Sequence, residues 1–444
     1  LLPYLLHLPL LTALIFLIYR KSAGAPLSTY FFFALAAKLA AGIAVGLLYT
    51  YYYNSGDTFL FFQDAGLLAD LASHSAVDYV RILLFDQFPD DKLPERLVYE
   101  QESRSFFLIK ILSVISVATS QNYWLSGLYF SLFSFWGMWQ LSNALAKAFQ
   151  GTSFSAPLAF LFFPSIVFWS AGVMKESLVM GMIGLLTSYW LSALLRLERW
   201  KKSQLYWQIP LSLLMLLALW KLKYYYFAVY LPCLLAGGLL LLLQRGNWLR
   251  SLWAKLFLFF LLLAAIAGIT SQLHPNLKAN YFLEILVQTH DTLYALSKTD
   301  NRIEYHDLKP TVGSLLQNIP LALASGLFRP FLGEGNKALQ WLNGLENLFL
   351  LLLACTSLFR IWQKKGLHLS REATILTCTA GLYILTLATL LAISTPNFGT
   401  LTRYKVAFLP FMIYLLANGA GLKKESTFDS IGKVARFFTG GRKS

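Results

Sequence analysis

Long apolar runs set the rhythm of this chain. Stretches near the ~20 residues that cross a bilayer as a helix fall at about 1–19, 30–53, 123–146, 154–173, 176–195, 206–221, 224–243, 252–271, 340–361, 372–394 and 403–418. They predict an all-α polytopic membrane protein with about eleven transmembrane helices. Two longer polar stretches interrupt the series, at 54–122 and 272–340. In the first, the run from Phe59 to Asp70 is amphipathic and fits a helix lying on a membrane surface. The run from Phe106 to Thr119 is shorter than a span and contains Lys110, so it is expected as an interfacial or re-entrant helix. The organisation read from the pattern is a transmembrane bundle over 1–421 and a basic cytoplasmic tail over 422–444. The bundle carries an outer loop with interfacial helices at 54–122 and a second outer loop at 272–340.

Charge gives the bundle a direction. Of the 444 residues, 57% are hydrophobic and 13% charged, against roughly 25% charged in soluble domains. The net charge of +15 does not indicate a nucleic-acid partner, because the bases gather in short loops between apolar runs, as they do on the cytoplasmic flanks of membrane spans. With 106–119 left out of the count, Arg20-Lys21, Lys147, Arg196 to Lys202, Arg245 to Arg250, Arg360 to Arg371 and the tail from Lys423 all fall on one side, expected to be cytoplasmic. The stretch from Asn54 to Arg104, with ten acids against four bases, then faces out. Counting 106–119 as a span would send the base-rich Arg196 to Lys202 outside, so eleven crossings are expected rather than twelve. The first apolar run ends in Arg20-Lys21 without a small-residue cleavage site, and no cleavable signal peptide is expected. Cys233, Cys355 and Cys378 all sit in apolar runs, and no disulfide framework is expected.

The polar residues on the outer side carry the candidate chemistry. Asp57 and Asp64 are seven residues apart, which places both carboxylates on one helix face, two turns from each other. The turn from Phe163-Pro164-Ser165 to Lys175-Glu176 needs small and polar residues simply to reverse direction. Alternatively, Lys175 meets a phosphate while Glu176 favours the next helix N-terminus. Lys221 and Lys223, beside Tyr224-Tyr225-Tyr226, read as an aromatic belt with snorkelling bases, or as a cationic rim for an anionic head group. Lys38 lies within the second span, where an ionisable residue faces protein or water more readily than lipid. Arg302 and His306 stand in the second outer loop. Arg329, between Phe328 and Pro330, suits either bidentate contact with a phosphate or a structural pair with Glu334 or Glu346. Arg403 and Lys405 follow the last outer turn, against the usual charge bias, which favours an anionic partner for Arg403. His306 has no ligand at metal spacing, and no Gly-rich phosphate loop, CxxC, HExxH or GxSxG motif occurs.

The order of these features resembles the GT-C class of integral membrane glycosyltransferases. Gly56-Asp57-Thr58 leading into Asp64-Ala65 is similar to the acidic motif of their first outer loop. Phe163-Pro164-Ser165 through Lys175-Glu176, and Asn397 to Leu401 with Arg403-Tyr404, look like stretches of bacterial envelope-polysaccharide proteins, polymerases among them. Two spans precede the acidic loop where that class has one, which departs from its pattern. The resemblance implies transfer of a sugar from a polyprenyl-phosphate donor to a glycan, lipid or protein acceptor on the extracytoplasmic face, in a bacterial inner membrane with the site facing the periplasm. It implies Asp57 as general base, with Asp64 as its alternative or orienter. Lys175, Arg329 and Arg403 would bind the leaving phosphate, with Glu176, Lys221, Arg302 and His306 among the substrate-binding residues. It requires no cofactor and leaves room for a divalent cation. A polymerase of lipid-linked repeat units and a flippase for a lipid-linked saccharide are the alternatives.

Overall fold

The computed structural model describes residues 2–53, 56–90, 92–197, 202–245, 251–272, 278–297, 301–335, 338–363 and 369–422. The tail expected from Lys423 onward lies outside the described residues. Among those residues the protein is helical, with one isolated bridge between Arg302 and Asn397. Helices α1 (Leu2–Ser22) and α2 (Phe31–Tyr51) come first. The acidic outer stretch then folds into α3 (Asp57–His74), α4 (Ala76–Phe85), α5 (Lys92–Arg96) and α6 (Ser103–Ala118). Next are α7 (Tyr123–Ala148), α8 (Ser155–Pro157) running into a π-helical turn at Leu158–Phe162, α9 (Pro164–Trp169) and α10 (Lys175–Leu195). They are followed by α11 (Lys202–Arg245) and α12 (Leu252–Ser271), and by α13 (Ala279–Ala295) and α14 (Val312–Phe328) in the second polar stretch. Helices α15 (Ala338–Trp362), α16 (Arg371–Ser394), α17 (Phe398–Tyr404) and α18 (Leu409–Gly419) close the described chain.

Seven of these helices are long and apolar enough to cross a bilayer: α1, α2 with the turn before it, α10, α11, α12, α15 and α16. The count becomes eight if α6 and α7, which meet at a 117° bend, are taken together as one broken span. The protein is therefore a multi-pass membrane protein, and the count departs from the eleven expected at identifiable places. At 154–173, Pro157 and Pro164 each remove a backbone donor, and the run breaks into α8, the π turn and α9. At 403–418 a 3₁₀ turn, Lys405–Ala407, separates α17 from the 11-residue α18. The spans expected at 206–221 and 224–243 both fall within α11, which is two helices joined at a kink. Its backbone leaves the helical region at Lys223 (φ −149°, ψ 69°), between those two expected spans.

The chain divides into two compact units. The first holds Leu1–Ala144, Ile166–Tyr189 and Trp200–Tyr224. In it α3 packs on α4 and α6. The buried Trp139 meets Phe31 edge-on at 5.0 Å and donates through Nε1 to Ser22 Oγ at 2.7 Å. Helices α7 and α10 touch backbone to backbone: a Cβ on Gly137 would lie 2.1 Å from the Gly181 carbonyl oxygen. Small residues permit this approach, which gains dispersion where water cannot drive helices together. The second unit holds Leu145–Ser165, Trp190–Arg199 and Tyr225–Ser444. There α14 and α13 pack on α16, and α15 on α18. A buried cluster of Ala236, Leu240, Leu241, Phe259 and Ile375 joins α11, α12 and α16.

Candidate functional site

In the first unit the acids of α3 converge on one tyrosine. Helix α3 starts at Asp57, directly after Gly56 (φ 155°), where a Cβ would come within 2.6 Å of the Tyr49 ring. Asp57 thus sits at the helix N-terminus, where the backbone dipoles favour a carboxylate. Two turns on, Asp64 is fully buried, and its two oxygens accept the backbone N–H groups of Val98 (3.1 Å) and Tyr99 (3.0 Å). Burial raises the Asp64 pKa, and these two bonds oppose the rise. The segment that Asp64 clamps carries the Tyr99 side chain, whose hydroxyl donates to Asp57 Oδ1 at 3.3 Å. Burial and the adjacent Asp57 charge hold that phenol well above its usual pKa, so it remains a donor. The seven-residue spacing therefore brings both carboxylates to Tyr99, one through its hydroxyl and the other through its backbone.

A cation joins this group from α10. Lys175, the first residue of that helix, donates through Nζ to Ser105 Oγ at 2.7 Å, and Ser105 donates to Glu102 Oε2 at 2.7 Å. The same ammonium lies 5.1 Å from the centre of the Phe61 ring, and Phe61 packs against Tyr99 at 4.8 Å. Asp57, Tyr99, Phe61, Lys175, Ser105 and Glu102 thus form one connected patch, with Arg104 beside it, its guanidinium 5.7 Å from the Tyr224 ring. Glu176, the next residue, is buried and paired with the buried Lys223, Nζ to Oε1 at 3.2 Å. The departure from helical backbone at Lys223 accompanies its burial, whereas Lys221, on regular helix, is exposed. Lys38, buried in α2, donates to the Val167 carbonyl (3.2 Å) and to Ser170 Oγ, at the C-terminal end of α9 where carbonyls lack helical partners.

The remaining predicted residues belong to the second unit. Arg329, at the end of α14, forms a fork on Glu334 Oε1 (Nε 3.0 Å, Nη2 2.6 Å), and Glu334 Oε2 accepts the Phe331 N–H at 2.8 Å. This is the structural pair that the sequence offered as one alternative for Arg329. Arg403, in the last turn of α17, lies 5.3 Å from the Tyr404 ring centre. Its neighbour Lys405 is buried, and its Nζ donates to the Arg329 carbonyl (3.1 Å) and Asn347 Oδ1 (3.2 Å). Arg302 stacks 3.7 Å above the Tyr294 ring and binds Glu304 Oε1 at 2.8 Å. The Tyr294 hydroxyl and then Arg302 hold the Glu304 pKa below the usual carboxylate range. His306 is exposed, and its backbone N–H donates to Asn318 Oδ1 at 3.1 Å.

Sequence reasoning missed Tyr99, Ser105 and Glu102, and it did not separate Lys223 from Lys221. Nothing local in the sequence marks Tyr99; its place depends on Asp64, far back in the chain. Among the described residues no group of three or more His, Cys, Asp or Glu side chains could hold a metal ion. No protein-family model, curated protein or solved structure matches the chain.

Proposed function

We propose that this membrane protein is a glycosyltransferase that moves a sugar from a polyprenyl-phosphate-linked donor to an acceptor hydroxyl on the extracytoplasmic face. The observation that carries the proposal is the patch around Tyr99, in which an acid at a helix N-terminus and a lysine occur together in a protein of membrane-spanning helices. Asp57 takes the proton of the acceptor hydroxyl as its oxygen bonds the anomeric carbon. The bond from that carbon to the donor phosphate breaks, and the electron pair leaves with the phosphate. Lys175 meets the charge growing there, an interaction that gains most in the transition state. Tyr99 orients Asp57, and Asp64 orients Tyr99. Apolar side chains exposed on α4, among them Val77, Leu84 and Phe85, suit contact with a membrane surface, where the reactive end of a lipid-linked donor lies. Arg329 has a smaller part in this reading because Glu334 already occupies its fork.

Asp57→Asn tests the base. Asn keeps the size of Asp57 and an acceptor oxygen for the Tyr99 hydroxyl, so the variant is expected to insert and melt as the wild type does. Transfer from a polyprenyl-phosphate sugar to acceptor is expected to fall by ~10²–10⁴-fold, the usual share of a general base. Undiminished transfer would remove Asp57 from the mechanism. Product length separates the alternatives: single additions support a transferase, and long chains from an oligosaccharide donor a polymerase. Movement of an intact lipid-linked saccharide without bond exchange would mark a flippase.

A further inference from the structure

The second unit holds a cavity of about 130 Å³ lined by Leu240, Lys255, Leu256, Phe259, Arg371, Thr374, Ile375 and Cys378. Its walls come from the C-terminal part of α11 and the first turns of α12 and α16. Two kinds of surface meet there. Leu240, Phe259 and Ile375 belong to the buried apolar cluster and Leu256 lines the cavity with them, whereas Lys255 and Arg371 bring two cations from different helices. Neither base forms an ion pair among the described residues. Both stand in or next to the first turn of a helix, where the backbone dipoles disfavour positive charge. The one acid in that turn of α16 is Glu372, which does not line the cavity. Compared with ~30 Å³ per water molecule, the cavity has room for a group the size of a phosphate ester.

We propose that this cavity binds an anionic membrane phospholipid, with its phosphate between Lys255 and Arg371 and the start of an acyl chain along Leu240, Leu256, Phe259 and Ile375. The ligand class follows from the lining: two cations select an anion, and a continuous apolar wall selects one with a hydrocarbon tail. The three helix ends that form the cavity are also those the charge pattern assigns to the cytoplasmic side, where basic clusters next to spans recognise anionic head groups. The site is independent of the proposed sugar transfer.

The test uses the full chain purified in detergent, with the melting temperature followed as defined lipids are added. Phosphatidylglycerol is expected to raise it with saturation, and phosphatidylcholine to have at most a tenth of that effect at equal concentration. Inorganic phosphate alone is expected to leave it unchanged. The double variant Lys255→Gln/Arg371→Gln should need at least tenfold more phosphatidylglycerol, while Lys255→Arg/Arg371→Lys keeps the response. Ile375→Trp, which fills part of the cavity while both bases stay in the chain, should also lose it. Equal stabilisation by both lipids, an unchanged response in the Gln variant, or saturation by inorganic phosphate would overturn the proposal. Should the Gln variant fail to fold, the response of the Ile375→Trp protein decides.

Discussion

Asp64 is the residue on which the acidic patch depends, although it is buried away from any substrate. Replacing it with Ala would strand the N–H groups of Val98 and Tyr99, each at a cost of about 1–3 kcal/mol when it finds no new partner. Asn keeps one acceptor oxygen and should cost less. Thermal melting of Asp64→Ala and Asp64→Asn should follow that order, and equal losses would show that the clamp adds nothing to stability. The pH dependence follows from the direction of the shift. Burial places the folded Asp64 pKa above the ordinary 3.8, so the folded chain retains a proton that the unfolded chain has released. That contribution to stability is complete below the unfolded value and is lost as the pH rises through the raised folded value. Asn does not titrate, so the melting gap between wild type and Asp64→Asn should narrow as the pH rises through that window. A gap that widened would reverse the assignment of burial as the dominant cause.

At the scale of elements, the pairing of Glu176 on α10 with Lys223 at the break in α11 is the feature with the clearest energetic consequence. Removing either member breaks a buried ion pair, a change that commonly costs about 3–5 kcal/mol. Replacing both by apolar residues of similar size is often nearly neutral. Glu176→Leu and Lys223→Met should therefore each destabilise strongly, while the double replacement should recover most of the loss; a double-mutant cycle by denaturation in mixed micelles measures the difference. Additive losses would mean that the two side chains act separately. The same pair shows where sequence legibility ends. The lengths of α1, α2, α10, α12, α15 and α16 follow from runs of apolar residues, a local property that the chain states outright. Which of Lys221 and Lys223 turns inward depends on a carboxylate in another helix, and no local pattern encodes that choice. The segments at 154–173 and 403–418 are broken helices, not continuous ones, for a related reason: their apolar content is high, but prolines and buried polar contacts such as those of Lys405 divide the helices. The α3 register was legible, because the spacing of Asp57 and Asp64 is set by helical geometry alone. Their shared partner, Tyr99, was not.

For the whole molecule, the transferase reading stands on sidedness. The acidic stretch with Asp57 and the polar stretch with Arg302, His306 and Arg329 must both face the extracytoplasmic space, while the bases near Lys147 face the opposite side. The charge pattern predicts this arrangement; a multi-pass fold is compatible with either sense of insertion. Single cysteines placed in a background with Cys233, Cys355 and Cys378 replaced by Ala separate the possibilities. Glu100 and His306, both outside the helices in described segments, should react with a membrane-impermeant maleimide in intact cells when changed to Cys. Gly151, in the exposed turn after α7, should react only after permeabilisation, because it follows Lys147, which the charge pattern assigns to the cytoplasmic side. If the whole chain were inserted in the reverse sense, all three labels would exchange sides together and the site would face the cytoplasm, where a nucleotide sugar becomes the natural donor. If only Glu100 and His306 fell on opposite sides, the two polar stretches would face different compartments, and the label at Glu100 alone would decide the side on which Asp57 and Lys175 meet a donor.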